Sequence, residues 1–256
     1  AQRLVRILCP HCRRPYILTP EDVKTMHING SDLVGTQVYK PRGCAYCFDT
    51  GYQGRQAIFE ILELDDEIRA DCGVESTLLP LDLKNHDAID NVGAAIYERF
   101  GRLDIMVANA GLLGVLTPMH QLDPKVWDEV MNVNLTACFR LLRSMDPLLR
   151  ASDSGRSIYV TSAVGHTPRA FWSAYAVSKA GLDMMVRTYA EEIKKTNMRV
   201  NILNPGATRT GMRAAAMPGE DPNTLKTPES IAHEFVKLGA ADCDLNGEMI
   251  TAEPEQ

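Results

Sequence analysis

The 256-residue sequence lacks several patterns that would assign it to a common class of protein. No apolar run reaches the roughly 18–20 residues that a membrane-spanning helix needs, and no secretory signal peptide opens the chain. We therefore expect no membrane partner. The formal net charge of -6 argues against a non-specific nucleic-acid binder. With 45% hydrophobic and 23% charged residues, the composition is that of a folded globular protein.

The glycines are spaced so that two nucleotide-binding motifs are excluded. No two of the 18 glycines lie two residues apart, so neither Gly-x-Gly-x-x-Gly nor Gly-x-x-x-Gly-x-Gly occurs. Gly-Lys-Ser/Thr is absent as well, which removes the P-loop that binds ATP phosphates. We expect no ATPase activity.

Four of the seven cysteines form two Cys-x-x-Cys pairs, Cys9/Cys12 and Cys44/Cys47. Each pair lets two thiolates reach one ion from a tight turn, and two pairs complete the tetrahedral four-sulfur shell that suits zinc. This closed shell predicts a structural zinc. A redox pair is the alternative, and His11 could replace one cysteine as ligand. An odd cysteine count without a secretion signal argues against disulfides and predicts a cytoplasmic protein.

Residues 1–66 resemble the zinc-binding module of the type II secretion and type IV pilus assembly ATPases. The resemblance rests on the run Ala1–Arg6, the Leu-Cys-Pro-His-Cys sequence that follows it, and the run Gly51–Glu60. The nucleotide-binding core that precedes this module in those ATPases is not in the sequence. We therefore expect a zinc-stabilised appendage, joined to the rest by a short helix over Glu60–Arg69.

Residues 67–256 alternate strand and helix patterns. An apolar stripe predicts a helix over His86–Phe100, and Asp123 followed by Pro124 is typical of a helix N-terminus. Strands are predicted at Leu78–Leu81, Leu103–Val107, Ser157–Thr161, Arg199–Leu203 and Glu248–Thr251. Further helices are predicted over Pro124–Arg150, over Ser173–Lys195 and from Pro228. This alternation predicts an α/β fold, a doubly wound parallel sheet with helices on both faces.

Ser162, Tyr175 and Lys179 form a pattern with a chemical rationale. Ser162 ends a predicted strand, and a gap of four residues places Tyr175 and Lys179 on one face of the next helix. A phenol with a pKa near 10 is a poor base at neutral pH, and a nearby ammonium would lower that pKa. The pattern predicts a tyrosine that transfers protons. The alternative is that the two residues lie on an ordinary solvent-exposed helix face and have this spacing by chance.

This second segment resembles the short-chain dehydrogenase/reductase family. The further matching residues, in the family's order, are Asp82, Asn109, Ala110, Gly111, Asn134, Pro205, Gly206, Thr208 and Thr210. The resemblance implies NAD or NADP as cofactor and a small alcohol or carbonyl substrate. It implies that Tyr175 is the acid/base, that Lys179 tunes its pKa and anchors the ribose, and that Ser162 contacts the substrate oxygen.

The resemblance also assigns roles to the other matching residues. Asn134 would support a proton relay through a water, although a purely structural role stays open for it and for Asn109. Cofactor contacts are implied for Asp82, Asn109, Ala110, Gly111, Tyr175, Lys179, Pro205, Gly206, Thr208 and Thr210. The loop over Thr210–Pro222 would be a substrate lid. Homo-oligomers are implied through the helices 124–150 and 173–195.

The family's glycine-rich turn, which binds the cofactor pyrophosphate at a helix N-terminus, has no counterpart in the sequence. In the family's strand order, 3-2-1-4-5-6-7, the missing first strand lies at the centre. We therefore expect a chimera: a zinc module over 1–66 and an incomplete Rossmann-like domain over 67–256, with impaired activity. The alternative is a non-catalytic zinc interaction module of secretion or pilus motor origin, fused to a degenerate α/β scaffold.

Overall fold

The computed structural model describes residues 2–20, 35–47, 49–59 and 79–254. The chain divides into two compact units, Ala1–Ser76 and Thr77–Gln256. The predicted helix over Glu60–Arg69 lies outside the described residues. Within the described ranges, no helix combines the length and apolar character that crossing a membrane requires.

The first unit contains two antiparallel strand pairs. Strand β1 (Gln2–Leu8) pairs with β4 (Tyr52–Phe59), and β2 (Arg14–Ile17) pairs with β3 (Gln37–Lys40). A 3-10 turn over Ala45–Cys47 precedes β4. Two-stranded sheets are marginally stable by themselves. Among the side chains of this unit that the structure describes, the buried cluster consists of Cys9, Cys12 and Cys47, with Cys44 partly buried against them.

The second unit alternates helices and strands as predicted. Its helices are α1 (His86–Phe100), α2 (Pro124–Met131), α3 (Ala137–Arg150), α4 (Ser173–Ile193), α5 (Gly211–Ala216) and α6 (Ala232–Gly239). Its strands are β5 (Ile105–Ala108), β6 (Arg156–Val160), β7 (Arg199–Asn204) and β8 (Met249–Thr251). The predicted strand boundaries at these four positions hold to within two residues.

The four strands β5 to β8 form one parallel sheet in that order. One face packs against α3 and α4 through buried residues such as Met145 and Leu182, with α1 beside them. The other face packs against α6 and the turn before it through Ile158, Leu203 and Leu238. Helices on both faces of a parallel sheet confirm the predicted Rossmann-like α/β class.

Strand β5 lies at one end of this sheet. In the described part of the second unit, the one strand paired with β5 is β6. Met106 and Ala108 are buried on one face, whereas Ile105 and Val107 on the other are 49% and 45% exposed. Among the described residues, the sheet therefore ends at β5, the position beside which the prediction of an incomplete sheet places the missing strands.

The predicted strand over Leu78–Leu81 is wrong for the residues that are described. Leu78 lies outside them, and the three residues after it form no strand. Asp82 instead begins a turn, where its Oδ1 accepts a hydrogen bond of 2.9 Å from the Lys84 backbone N–H. Two physical reasons account for the error. Pro80 has no N–H to donate, and a strand of a parallel sheet needs a neighbour with which to pair.

The predicted helix over Pro124–Arg150 begins as expected but is interrupted. Asp123 Oδ1 accepts from the Lys125 N–H at 2.9 Å and Pro124 occupies the first helical position, so the predicted N-terminus is confirmed. Between α2 and α3, however, Asn132–Thr136 form a π-helical turn. Turns of this kind often occur at functional sites, and this one carries Asn134.

Candidate active site and metal centre

The four paired cysteines of the first unit form a compact sulfur cluster. All four Sγ atoms lie within 4.8 Å of one another. The Sγ–Sγ distances are 3.9 Å for Cys9–Cys44, 3.8 Å for Cys12–Cys47 and 3.7 Å for Cys44–Cys47. A tetrahedral zinc with bonds of about 2.3 Å requires sulfurs about 3.8 Å apart, whereas a disulfide requires about 2.05 Å. The cluster therefore has the dimensions of a zinc site.

Backbone N–H groups support negative charge on these sulfurs. Cys47 Sγ accepts hydrogen bonds from the N–H of Cys44 at 3.3 Å and of Gly51 at 3.2 Å. Burial raises the pKa of the Cys47 thiol, but these bonds, together with those to the Cys44 and Cys12 thiols, outweigh it and lower the pKa to about 7. Burial and the neighbouring Cys47 raise the pKa of Cys44 to about 11. His11 stacks on Tyr46 with ring centroids 4.5 Å apart and is not among the clustered ligands.

In the second unit, the predicted site residues follow three neighbouring strands. Asn109 follows β5, Ser162 follows β6 by two residues, and Pro205 follows β7. Parallel strands end at one edge of the sheet, so these segments lie side by side. That edge is where open α/β sheets bind ligands.

Tyr175 and Lys179 lie one turn apart on α4, and both are buried. Lys179 Nζ donates to the carbonyl oxygen of Val160, the last residue of β6, at 2.7 Å, and it lies 5.8 Å from the centre of the Tyr175 ring. Gly111 lies beside this amine, since a Cβ built there would be 3.6 Å from Nζ and 3.5 Å from Asn134 Oδ1. The structure therefore brings four predicted site residues into one neighbourhood.

The pKa of Tyr175 is not lowered in the way that the spacing to Lys179 predicts. Burial raises the pKa of Tyr175, and a hydrogen bond with Ser162 lowers it. Burial also lowers the pKa of Lys179, so its ammonium is disfavoured. The net effect of burial and Ser162 is a raised pKa for Tyr175, with Ser162 as the neighbour that favours the phenolate.

Asn134 is fully buried, and its side-chain amide makes three hydrogen bonds. Oδ1 accepts from the Leu112 N–H at 2.7 Å, while Nδ2 donates to the Leu112 carbonyl at 2.9 Å and to Ser178 Oγ at 3.0 Å. Ser178 in turn donates to the Tyr175 carbonyl at 2.8 Å. Asn134 therefore links the loop after β5 to α4. The sequence reasoning missed Ser178, although its position three residues after Tyr175 places it near the same helix face.

Among the remaining predicted cofactor residues, the two threonines after β7 have local hydrogen-bond partners. Thr208 donates to the Pro205 carbonyl at 3.0 Å, and Thr210 Oγ1 caps α5 by accepting from the Arg213 N–H at 3.2 Å. Gly206 has a φ of +67°, which a side chain would strain. Asp82, in the turn before α1, is exposed, as are Asn109 and Ala110.

An apolar cluster joins Tyr175 to the predicted lid. Tyr175, Trp172 and Ala216 are buried together, with the side chains of Leu113, Leu116, Val164, Ala176 and Met217 packed around them. Trp172 meets Tyr175 edge to face, with ring centroids 5.9 Å apart. Glu220 holds the lid through two hydrogen bonds from the Arg213 guanidinium, at 2.6 and 2.5 Å.

The sequence profile described as short chain dehydrogenase matches residues 56–221, more than half of the chain. The chain belongs to the short-chain dehydrogenase family. A second profile, described as Type II/IV secretion system protein, matches residues 1–88 and overlaps the first. These two matches confirm both resemblances and the chimeric composition that they imply.

Several short-chain dehydrogenases are similar to this chain. The uncharacterized oxidoreductase YciK of Escherichia coli K12 is 48% identical over 143 residues, which are 56% of this chain and 56% of YciK. The chain spans about half the length of the curated relatives it matches. A solved short-chain dehydrogenase from Salmonella enterica serovar Typhi CT18 has a TM-score of 0.71 and 39% identity, covering 73% of this chain and 79% of that one. Another, from Escherichia coli CFT073, is complexed with NADPH. It has a TM-score of 0.70 and 39% identity, and the match covers 73% of this chain and 79% of that one.

Proposed function

We propose that residues 67–256 carry the catalytic part of an NAD(P)-dependent short-chain oxidoreductase acting on a small alcohol or carbonyl compound. The observation that carries this proposal is the meeting of Ser162, Tyr175 and Lys179 at the carboxyl edge of the sheet. The similar Escherichia coli CFT073 protein is complexed with NADPH, so NADPH is the first cofactor to test.

Each of these three side chains has a distinct task. The Tyr175 hydroxyl transfers the proton at the substrate oxygen. The Ser162 hydroxyl hydrogen-bonds to that oxygen and keeps it close to the tyrosine. Lys179 Nζ uses one N–H to reach the Val160 carbonyl, so at least one further N–H remains to hold the cofactor ribose. The bound nicotinamide supplies or accepts the hydride.

The site residues of this chain suit the nicotinamide ribose of the cofactor better than its pyrophosphate. Gly111 leaves open the volume beside Lys179 and Asn134 that a Cβ would occupy at ordinary contact distance, 3.6 and 3.5 Å from their polar atoms. The sequence has no glycine-rich turn that would let backbone N–H groups approach a pyrophosphate. This chain by itself therefore binds NADPH weakly and turns over slowly.

The apolar cluster indicates the kind of substrate. Trp172, Leu113 and Met217 place hydrocarbon and aromatic surface beside the Tyr175 ring, so the group next to the reacting carbonyl is apolar. A carbonyl compound with an alkyl or aryl substituent, rather than a sugar, is the class to assay first.

Fluorescence titration and carbonyl reduction test this proposal. We expect NADPH and NADH to bind the full chain with dissociation constants above the micromolar range, and Tyr175→Phe to remove any residual reduction. Tyr97→Phe is the matched control, because Tyr97 is 64% exposed on α1. Micromolar binding contradicts the proposed weakness. Unshifted amide NMR signals of Gly111 and Ser162 at millimolar NADPH contradict the cofactor site itself.

For residues 1–66 we propose a zinc-stabilised module of secretion or pilus motor type without catalytic activity. The profile match over residues 1–88 and the 3.7–3.9 Å sulfur spacings support it. Zinc-bound or free thiolates of this kind persist in a reducing compartment, so the cytoplasm is the proposed location. Pull-down with motor components, repeated with a Cys44→Ser chain, tests whether the module is an interaction domain; no captured motor component contradicts that role.

We also propose that the second unit forms homo-oligomers through 124–150 and 173–195. Phe139 on α3 is 49% exposed, and Val177 and Met184 on α4 are 40% and 64% exposed. Val177 and Met184 lie seven residues apart, on the same side of α4. Exposed apolar side chains on both helices are what such an interface would cover.

A further inference from the structure

A positive charge borders the apolar cluster that surrounds Tyr175. Arg169 lies in the loop before α4, and its side chain is exposed. Its Cζ atom is 5.4 Å from the centre of the Trp172 ring, and its Nη2 donates to the Met217 sulfur at 3.7 Å. Trp172 and Met217 both belong to the cluster. The guanidinium therefore lies at the border between this cluster and solvent.

Arg169 retains hydrogen-bonding capacity for a ligand. Among the residues that the structure describes, its guanidinium makes no ion pair. Its one side-chain acceptor there is the Met217 thioether, which is a weak one. Hydrogen bonds from Arg213 lower the pKa of Glu220, and the charge of Arg169 adds to this effect. Both Glu220 oxygens are taken by Arg213, at 2.6 and 2.5 Å, so Arg169 has a charge left to pair.

The turn that carries Arg169 and Trp172 has a rare backbone conformation. Phe171 has a φ of +75°, which is uncommon for a bulky residue. The Trp172 N–H donates to the Arg169 carbonyl at 3.3 Å, and the Thr117 N–H donates to the Phe171 carbonyl at 3.2 Å. Such conformations persist where the surrounding structure fixes them, and they cluster at ligand sites. This turn keeps Arg169 beside Trp172.

The spacing of these side chains suits a ligand with a polar group at each end. The rings of Trp172 and Tyr175 have centroids 5.9 Å apart, and Arg169 approaches the same Trp172 ring. A ligand that reaches both Tyr175 and Arg169 must therefore span the width of one aromatic side chain. The planar guanidinium matches a carboxylate, with which it forms two parallel hydrogen bonds.

We propose that Arg169 binds a carboxylate at the end of the substrate opposite the reacting carbonyl. The substrate class is then a keto acid with an apolar aryl or alkyl spacer between its two polar groups. This inference rests on the proposed function, in which Tyr175 meets the substrate carbonyl. It narrows the apolar carbonyl compounds proposed there to those that carry a carboxylate.

The test compares the binding of 4-acetylbenzoate with that of its uncharged methyl ester. Both are aryl ketones, and they differ in the charge at the far end of the ring. Binding to the full chain at pH 7 is followed by NMR through the indole N–H signal of Trp172. The chain has two tryptophans, and Trp127→Phe assigns the two signals.

Three variants separate a specific contact from a general effect of charge. Arg169→Gln removes the charge, and Arg169→Lys keeps the charge but loses the planar fork. The matched control is Arg187→Gln, which removes an exposed arginine about three turns beyond Tyr175 on α4.

We expect the unaltered chain to bind the acid about fivefold more tightly than the ester, near the upper limit for a solvent-exposed ion pair. The contact with Trp172 already orders the guanidinium, which favours the upper end of that range. Arg169→Gln should remove the difference, Arg169→Lys should keep part of it, and Arg187→Gln should leave it unchanged.

Equal binding of acid and ester, no shift of the Trp172 signal with either, or an equal loss in Arg187→Gln overturns the proposal. None of these titrations contains NADPH, so the proposed function is tested separately. A chain that distinguishes the two ligands but shows no NADPH-dependent reduction of either supports Arg169 as the carboxylate-binding residue and contradicts the proposed function.

Discussion

Removing the metal from the four-cysteine cluster is expected to unfold the first unit while the second stays folded. The described strands of the first unit form two separate two-stranded sheets, and the buried cluster among its described side chains is the sulfur quartet. Structural zinc contributes about 10–16 kcal/mol at neutral pH in small zinc-binding peptides. That exceeds the whole stability of many domains, about 5–15 kcal/mol, so two marginal sheets should not survive its loss.

The assay is thermal unfolding with and without a chelator, combined with metal analysis. We expect one zinc per chain, two unfolding transitions, and the loss of one transition with EDTA or in Cys12→Ser. The matched control is Cys243→Ser, which removes a partly buried thiol from the second unit. Amide exchange identifies which unit has unfolded, because β1 and β4 should lose protection while β6 and β7 keep it.

Two results would refute this reasoning. A chain purified from zinc-replete cells without bound metal would show that sulfur spacings of 3.7–3.9 Å arise from packing alone. A first unit whose β1 and β4 amides stay protected in EDTA would show that its strands are stable by themselves.

Two further predictions concern the second unit. Gly93→Ala should lower the free energy of unfolding by about 1–3 kcal/mol, because the added methyl would lie 2.5 Å from the Ser144 backbone oxygen, where α1 crosses α3. Gly211→Ala is its control, because a methyl added there would have no atom within 4 Å. The urea unfolding midpoints of the two variants are compared. Met184→Lys should shift any oligomer toward monomer in light scattering, whereas Val236→Lys, at a 73% exposed position on α6, should not. An oligomer that both variants leave intact contradicts the proposed interface.

The parts of the fold that were predictable are those encoded in local sequence. The stripe from Ile89 to Phe100 and the Asp123–Pro124 cap depend on neighbours within one or two helical turns, and both are found in the structure. The strand at Leu78–Leu81 failed because a strand depends on a partner elsewhere in the chain. The π-turn at Asn132–Thr136 was missed because one extra residue barely alters an apolar period.

In the candidate sites too, local spacings were predictable and contacts between distant residues were not. The spacings within Cys-x-x-Cys pairs and between Tyr175 and Lys179 are local, and the structure brings each pair together. The pairing of His166 with Asp183 spans 17 positions and depends on how the turn after β6 folds back on α4. The balance of charge at Tyr175 also depends on burial, which no local pattern specifies.

The composition of β5 indicates which position in a sheet this strand suits. Strands that evolve at the edge of a sheet are usually guarded by a lysine, a proline or a bulge, which prevents pairing with other molecules. β5 reads Ile-Met-Val-Ala and carries none of these guards. Its residues suit a strand flanked on both sides, as in the interior of a larger sheet. The amino acids of β5 are therefore those expected at an interior position of a sheet and not at an open edge.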